Sequence, residues 1–229
     1  MGRSVVLDTE TTGRSAQHNR IIEIGAVELV DRVYTEKKFH VYINPEQEVE
    51  QGAFSVHGLS NEFLADKPLF RDIVSEFMSF IEGAELIIHN APFDVGFIEA
   101  ELRRLNYSHQ VLDGFCKILD TLPLARKKHP GQRNSLDALC KRYDVDNSGR
   151  SFHGALLDSY LLADVYLRMT GGQNSLFQNR KADLAQSNSQ QSHPVVKVTK
   201  SDANRTSPKI TLSAEHLARH EEYLAHITS

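Results

Sequence analysis

Apolar residues run in short strand-like clusters over the first part of the chain and take up helical spacing further on. Val5-Val6-Leu7 makes residues 4–8 a short strand. Residues 21–30, opening on Ile21-Ile22-Glu23-Ile24, read as a second strand. Residues 37–43 read as a third, with Phe39, Val41 and Ile43 alternating, and Leu86-Ile87-Ile88 as a short fourth. Apolar residues then recur at 70, 73, 74, 77 and 80–81, and again at 93, 97, 98, 102 and 105, the spacing of one helix face. Further helices fit 121–128, 136–143 and 155–169. Strands first, then helices alternating with strand, predict an α/β layer around a central sheet.

The texture changes after Gly171-Gly172. Residues 178–208 are rich in Gln, Ser, Asn, Lys and Arg, and Gln186 to Ser192 is nearly without apolar content. Such a stretch cannot offset its ordering entropy by burial, so it is expected to be a flexible tether. Ser213 is a suitable N-cap for a closing helix at 214–227. Leu217, Leu224 and Ile227 give that helix only a narrow stripe, and it is too short to be stable alone in water. The expected division is a globular domain at 1–171, a junction peptide at 172–178, a linker at 179–212 and a docking helix at 213–229.

The chain has 229 residues, 40% hydrophobic and 24% charged, enough to bury one sizeable core. No stretch approaches the ~20 apolar residues of a membrane span. Met1-Gly2-Arg3-Ser4 leads straight into the first strand, so no secretory signal is expected. Cys116 and Cys140 fit no metal spacing and no disulfide framework, which points to a reducing cytoplasm. The formal net charge of −4 argues against a protein that holds nucleic acid by broad phosphate neutralisation. A nucleic-acid enzyme of this charge would grip few phosphates at once, or leave the holding to a partner.

The chemistry lies in carboxylates placed where burial would favour something apolar. Asp8 and Glu10 sit two apart at the end of the first strand, so their side chains share a face. Their repulsion is costly without a counter-charge. Asp94 has Phe97, Ile98 and Leu102 at i+3, i+4 and i+8, and Asp158 has Leu161, Leu162 and Val165 at i+3, i+4 and i+7. Both acids therefore lie on the inward stripe of a helix, where an unpaired carboxylate is expensive. One such residue is commonly a cap or a salt bridge. Two of them with the Asp8/Glu10 pair are better explained by one shared metal site. His153 precedes Asp158 by five residues, with Gly154 between it and the helix start, and an imidazole there can take a proton from a metal-bound water. Four acids suit phosphodiester hydrolysis with two divalent ions ~3.5–4 Å apart. Hard oxygen donors select Mg²⁺ or Mn²⁺.

Asp8-Thr9-Glu10-Thr11-Thr12-Gly13, His89-Asn90-Ala91-Pro92-Phe93-Asp94 and His153-Gly154-Ala155-Leu156-Leu157-Asp158 resemble the three exonuclease motifs of the DEDDh family. Their spacing, with Arg20 to Val27, Val56-His57-Gly58 and Arg133 to Cys140, is similar to the proofreading epsilon subunits of bacterial DNA polymerase III. The resemblance implies a ribonuclease H-like fold, a central mixed sheet flanked by helices. It implies that Asp8, Glu10 and Asp158 hold one metal ion and that Asp8 bridges to a second, held by Asp94 largely through water. His153 would be the general base. Thr11, Thr12, Val56, His57 and Phe93 would line the pocket for the terminal nucleotide, together with Glu10 and Asp158. Core packing is the competing reading for Val56 and Phe93. Glu23 reads as structural, and Asp120 as a helix cap.

Gln173-Asn174-Ser175-Leu176-Phe177 is similar to peptides that insert into the sliding clamp, with Gln173, Ser175, Leu176 and Phe177 as the contacting residues. In epsilon-like chains the tail helix docks on the polymerase (alpha) subunit, which residues 209–227 could do here. The expected partners are thus DNA 3′ ends, the polymerase and the clamp, with a small stabilising subunit left open and no membrane. Two rivals remain at this stage. An RNA-trimming DEDDh enzyme shares the motifs but needs neither clamp peptide nor tail. A non-catalytic polymerase scaffold predicts eroded acids, and all four are present. Arg126-Lys127-Lys128-His129 and Arg133 form the most basic stretch, open to phosphate contact or plain solvation.

Overall fold

The computed structural model describes residues 2–107, 111–148 and 152–171. The expected junction peptide, linker and terminal helix lie outside the described residues. Three antiparallel strands come first: β1 (Arg3–Thr11), β2 (Ile21–Val30) and β3 (Val33–Tyr42). β4 (Glu85–Ile88) then pairs parallel to β1, and β5 (Lys117–Asp120) parallel to β4, giving a five-stranded sheet in the order β3-β2-β1-β4-β5. The helices are α1 (Gln51–His57), α2 (Asn61–Leu64), α3 (Phe70–Ile81), α4 (Pro92–Arg104), α5 (Val111–Phe115), α6 (Thr121–Lys128), α7 (Leu136–Arg142) and α8 (Ala155–Gly171). This mixed sheet with helices on both faces is the ribonuclease H-like arrangement expected.

The two faces are set by the alternation along β1. Val5 and Leu7 point into the larger core with Phe70, Phe77, Phe97 and Leu102 of α3 and α4. Val6 points the other way, joining Val27, Ile87, Leu156 and Leu162 beneath α8. A third cluster, with Ala125, Leu139, Cys140, Leu161 and Val165, ties α6 and α7 to α8. Cys116 and Cys140 are both free thiols, and buried.

Expected and observed elements agree for β2, α3 and α6, and differ by a residue or two for β4, α4, α7 and α8. β1 runs three residues past Leu7-Asp8, because pairing with β2 holds Thr9, Glu10 and Thr11 in the ladder despite their polarity. β3 begins at Val33 rather than 37. Its early residues are mostly exposed, so no apolar alternation marks them. The helices α1, α2 and α5 and the strand β5 carry too few buried positions to show a period. No helix among the described residues is long and apolar enough to cross a membrane.

Candidate active site

Asp8 and Glu10 have the parity of Val6 and so face α8, while Thr9 between them faces α4. Asp94, in the first turn of α4, meets the Thr9 hydroxyl, which donates to its Oδ1 at 2.7 Å. Asp158, in the first turn of α8, approaches from the other face. Ligand atoms of Glu10, His153 and Asp158 lie within 4.8 Å of one another. The structure thus brings Asp8, Glu10, Asp94, Asp158 and His153 to one place, at the C-terminal end of β1.

Burial pushes the Asp8 carboxyl well above its ordinary range, and the carboxylates of Asp94, Asp158, Glu10 and Glu23 push it further. Burial likewise raises Asp94 to about 7, against the Thr9 hydroxyl and backbone N–H groups that favour its charged form. Among the described residues no arginine or lysine compensates Asp8 or Asp94 where these like charges converge, and every acidic donor is a hard oxygen. That donor set fits a divalent cation, whose charge would bring both carboxyls back to their ionised forms.

The approach of α8 depends on two residues whose importance the sequence did not reveal. Gly25 is the cross-strand partner of Asp8. A Cβ at Gly25 would fall 2.2 Å from the backbone of Ala155 and Leu156, so only glycine lets the start of α8 come this close. Ser159, fully buried, places its hydroxyl 2.8 Å from both the Gly25 and Ala155 carbonyls. Thr9 is a third unanticipated residue. A glycine within an apolar strand run was the one available signal for such close backbone approach.

His153 is anchored through its backbone, its N–H donating to the Val56 carbonyl at 3.0 Å. Its side chain is 45% exposed, with Nδ1 3.5 Å from Asp158 Oδ2. The same junction is closed by Gly58, which caps α1 at φ +71° with the Phe152 ring where its Cβ would stand. Val56 is 41% exposed and so is not a core residue. Phe93 is half-buried and packs on Phe97 at 4.9 Å.

His57 is buried, and desolvation lowers its ring to about 4 despite the opposing pull of Glu23. Its Nδ1 accepts from Leu59 N–H at 3.0 Å, so the neutral ring carries its proton on Nε2. The Thr11 hydroxyl donates to the Gly13 carbonyl at 2.6 Å. Thr12 is fully buried, and its hydroxyl accepts from Arg20 N–H and Gln47 Nε2, an arrangement that shapes the loop after β1. Glu23 pairs with His40 at 2.8 Å. Asp120 caps α6, accepting from Leu122 N–H at 2.9 Å, and also holds Asn90 N–H at 3.0 Å.

Comparison with known proteins identifies the family to which this fold belongs. The exonuclease family model RNase_T matches residues 5–166. The DNA polymerase III subunit epsilon of Pasteurella multocida is 47% identical over 227 residues, covering 97% of this chain and 88% of that protein. The Escherichia coli K12 subunit of the same name is 54% identical over 179 residues, 76% of this chain and 74% of its own length. Among solved structures, exonuclease X in complex with 5′ overhanging duplex DNA is 25% identical, with a TM-score of 0.57 over 76% of this chain and 93% of that one. With the acids and the histidine assembled on the matching fold, the chain belongs to the exonuclease family and, within it, to the epsilon subunits of DNA polymerase III.

Proposed function

We propose that this chain is the proofreading 3′→5′ exonuclease of a bacterial replicative polymerase, removing mispaired 3′-terminal nucleotides and releasing nucleoside 5′-monophosphates. The observation that carries the reading is the convergence of Glu10, His153 and Asp158 within 4.8 Å beside Asp8 and Asp94. Membership among the epsilon subunits supports a polymerase partner and a DNA substrate.

Asp8, Glu10 and Asp158 would hold one divalent cation, and Asp8 with Asp94, the latter largely through water, would hold a second. Bound Mg²⁺ or Mn²⁺ supplies Lewis acidity and an acidified water at neutral pH. His153 is the general base. Its Nδ1 is turned toward Asp158, so Nε2 takes the proton from the attacking water, and the Val56 carbonyl holds its backbone in place. The terminal nucleotide fits against Thr11, Thr12, Val56, His57 and Phe93, close to Glu10 and Asp158. Support for this pocket comes from His57 Nε2, a buried donor that makes no well-formed hydrogen bond and has the Thr11 carbonyl beside it. Leaving it so costs about 1–3 kcal/mol, which a nucleotide acceptor would recover. A mispaired end is cheaper to unstack into such a pocket, which gives selectivity.

The tail completes the reading. Gln173, Ser175, Leu176 and Phe177 engage the sliding clamp, 179–212 is the linker, and 213–229 binds the polymerase subunit. The P. multocida match, covering 97% of this chain, extends through that region. Tethering raises the local concentration of nuclease at the primer end and relieves the domain of holding DNA alone. The protein then works in the cytoplasm, at the nucleoid-associated replisome.

The test is degradation of a 5′-labelled primer with a mispaired 3′ end, beside an RNA oligomer of equal sequence, in Mg²⁺. A ladder shortening from the DNA 3′ end, lost in Asp8→Ala or with chelator and weaker on RNA, is expected. Faster loss of the RNA would move the chain to the RNA-trimming class. No cleavage of either would favour the scaffold.

A further inference from the structure

A second cleft, of about 430 Å³, opens beside the acidic centre, lined by His89, Asn90, Arg126, Gln132, Asn134 and Ser135. Its lining contains no carboxylate. Its walls are firmly tied to the segment that leads into α4 and Asp94. Asn90, at φ 67°, lies four residues before Asp94, and its N–H is held by Asp120, the residue that caps α6. His89 Nδ1 lies 2.9 Å from the Thr121 hydroxyl. On the far wall Asn134 is buried, with Nδ2 donating to the Gln132 and His129 carbonyls and Oδ1 accepting from Arg142. Arg126 is exposed at the rim and forms no ion pair among the described residues. It begins the run Arg126-Lys127-Lys128, all exposed, in the last turn of α6.

The sheet fixes where this cleft stands relative to the acids. β1, β4 and β5 are parallel neighbours, so their C-terminal ends share one edge. Asp8 and Glu10 occupy that edge on β1, and α6 follows from it on β5. α1, which carries Val56 and His57, follows β3 at the opposite side of the sheet. The Val56 and His57 wall of the proposed terminal-nucleotide pocket and the Arg126 cleft therefore stem from opposite sides of β1. A strand whose last nucleotide rests against Val56 and His57 has the cleft within its reach on the other side of the acids.

We infer that this cleft is a subsite for the phosphodiester backbone of the single DNA strand just upstream of the cleaved bond, with Arg126 as its cation. The inference rests on the exonuclease reading above. A lone arginine beside amide donors forms charge-assisted bonds to phosphate oxygens and reads no base, as a mismatch-directed enzyme requires. It is one local grip on a chain whose net charge of −4 forbids a general one.

The experiment measures shortening of single-stranded DNA oligomers by the full chain, with upstream phosphates replaced one at a time by neutral methylphosphonates. In the wild type, one replaced position should raise KM about five- to tenfold, the size of one exposed charge-assisted contact, with little change in kcat. Arg126→Ala should raise KM by a similar factor on unmodified DNA and become insensitive to that same replacement. Its log–log salt dependence should be shallower by about 0.7, one phosphate's worth on a single strand. Arg126→Lys should keep the salt slope. The subsite is overturned if Arg126→Ala matches wild type in KM and salt slope, or still responds to every replacement. Failure of the wild type to shorten unmodified DNA would instead overturn the exonuclease reading itself.

Discussion

Two sets of buried acids share this small sheet and its helices, and they are solved in opposite ways. Glu28 and Glu101 are 2% and 1% exposed, and each meets an arginine: Arg3 at 2.6 Å and Arg20 at 2.7 Å, with Arg104 adding a second contact to Glu101 at 3.3 Å. Burial would raise the Glu28 carboxyl, but bonds from Arg3 and Thr35 outweigh it and hold the group below its ordinary value. Asp94 and Asp158 are each 3% exposed, no less buried, yet with Asp8 and Glu10 they face further carboxylates. Burial alone therefore does not mark function. What distinguishes the second set is that its carboxylates face one another, an arrangement that a bound cation would balance.

The sharpest way to break this comparison is to remove one acid from each set. Asp8→Asn should lower exonuclease kcat by roughly 10³-fold or more, since a metal contributes several kcal/mol to such a reaction. It should leave the fold as stable as wild type or more so, because one of several repelling charges is gone. Glu101→Gln should do the reverse, costing about 3–5 kcal/mol in denaturant unfolding by leaving Arg20 short of its partner, with kcat largely kept in the folded fraction. Equal stability losses in both variants would sink the distinction.

Gly25→Ala should sit between these extremes. Its Cβ would collide with the α8 backbone, costing about 1–3 kcal/mol as α8 moves outward. Displacing Asp158 by about 1 Å should cost activity on the order of 10²-fold, so kcat and chemical stability fall together.

A gentler test uses pH in the presence of chelator. Asp94 is raised to about 7 in the folded protein, above its value in the unfolded chain. The folded state therefore holds the extra proton, and this group's contribution to stability falls as pH rises from about 4 through 7. Asp94→Asn should thus gain thermal stability over wild type at pH 8 and lose most of that gain at pH 5. Adding Mn²⁺ or Mg²⁺ should raise the wild-type Tm by a few degrees at pH 8 and less at pH 5, through preferential binding to the folded protein. A Tm difference that ignores pH would show that Asp94 is not a strained acid. Smallest of all, Thr9→Val should cost about 1 kcal/mol, the worth of one buried hydrogen bond, and reduce kcat only modestly.

The candidate site residues were readable because their chemistry conflicts with their surroundings. Asp94 and Asp158 fall on apolar helical stripes, and Asp8 and Glu10 interrupt a strand, so each stood out against its local pattern. Long periodic elements such as α3 and β2 were equally plain. The short helix α1 was not, since its apolar residues are half-buried or exposed and leave no stripe, yet it carries Val56 and His57. Core packing, the competing reading for Val56, was removed only by its observed exposure. Thr12, expected at the pocket, also holds the loop after β1 through Arg20 and Gln47, a contact the sequence did not show.

Local pattern, then, was enough to determine the acids, the histidine, the main strands and helices, and the change of texture near Gly171. Hydrophobic period and misplaced charge are both properties of a few consecutive residues. Which acids would find arginines and which would find one another was decided only by tertiary structure. Arg20 lies 81 positions from Glu101, and Thr9 lies 85 from Asp94. The choice of Gly25 as the seat of α8 belongs to the same class, because it is made where two distant backbones meet and nothing in the neighbouring sequence records the contact.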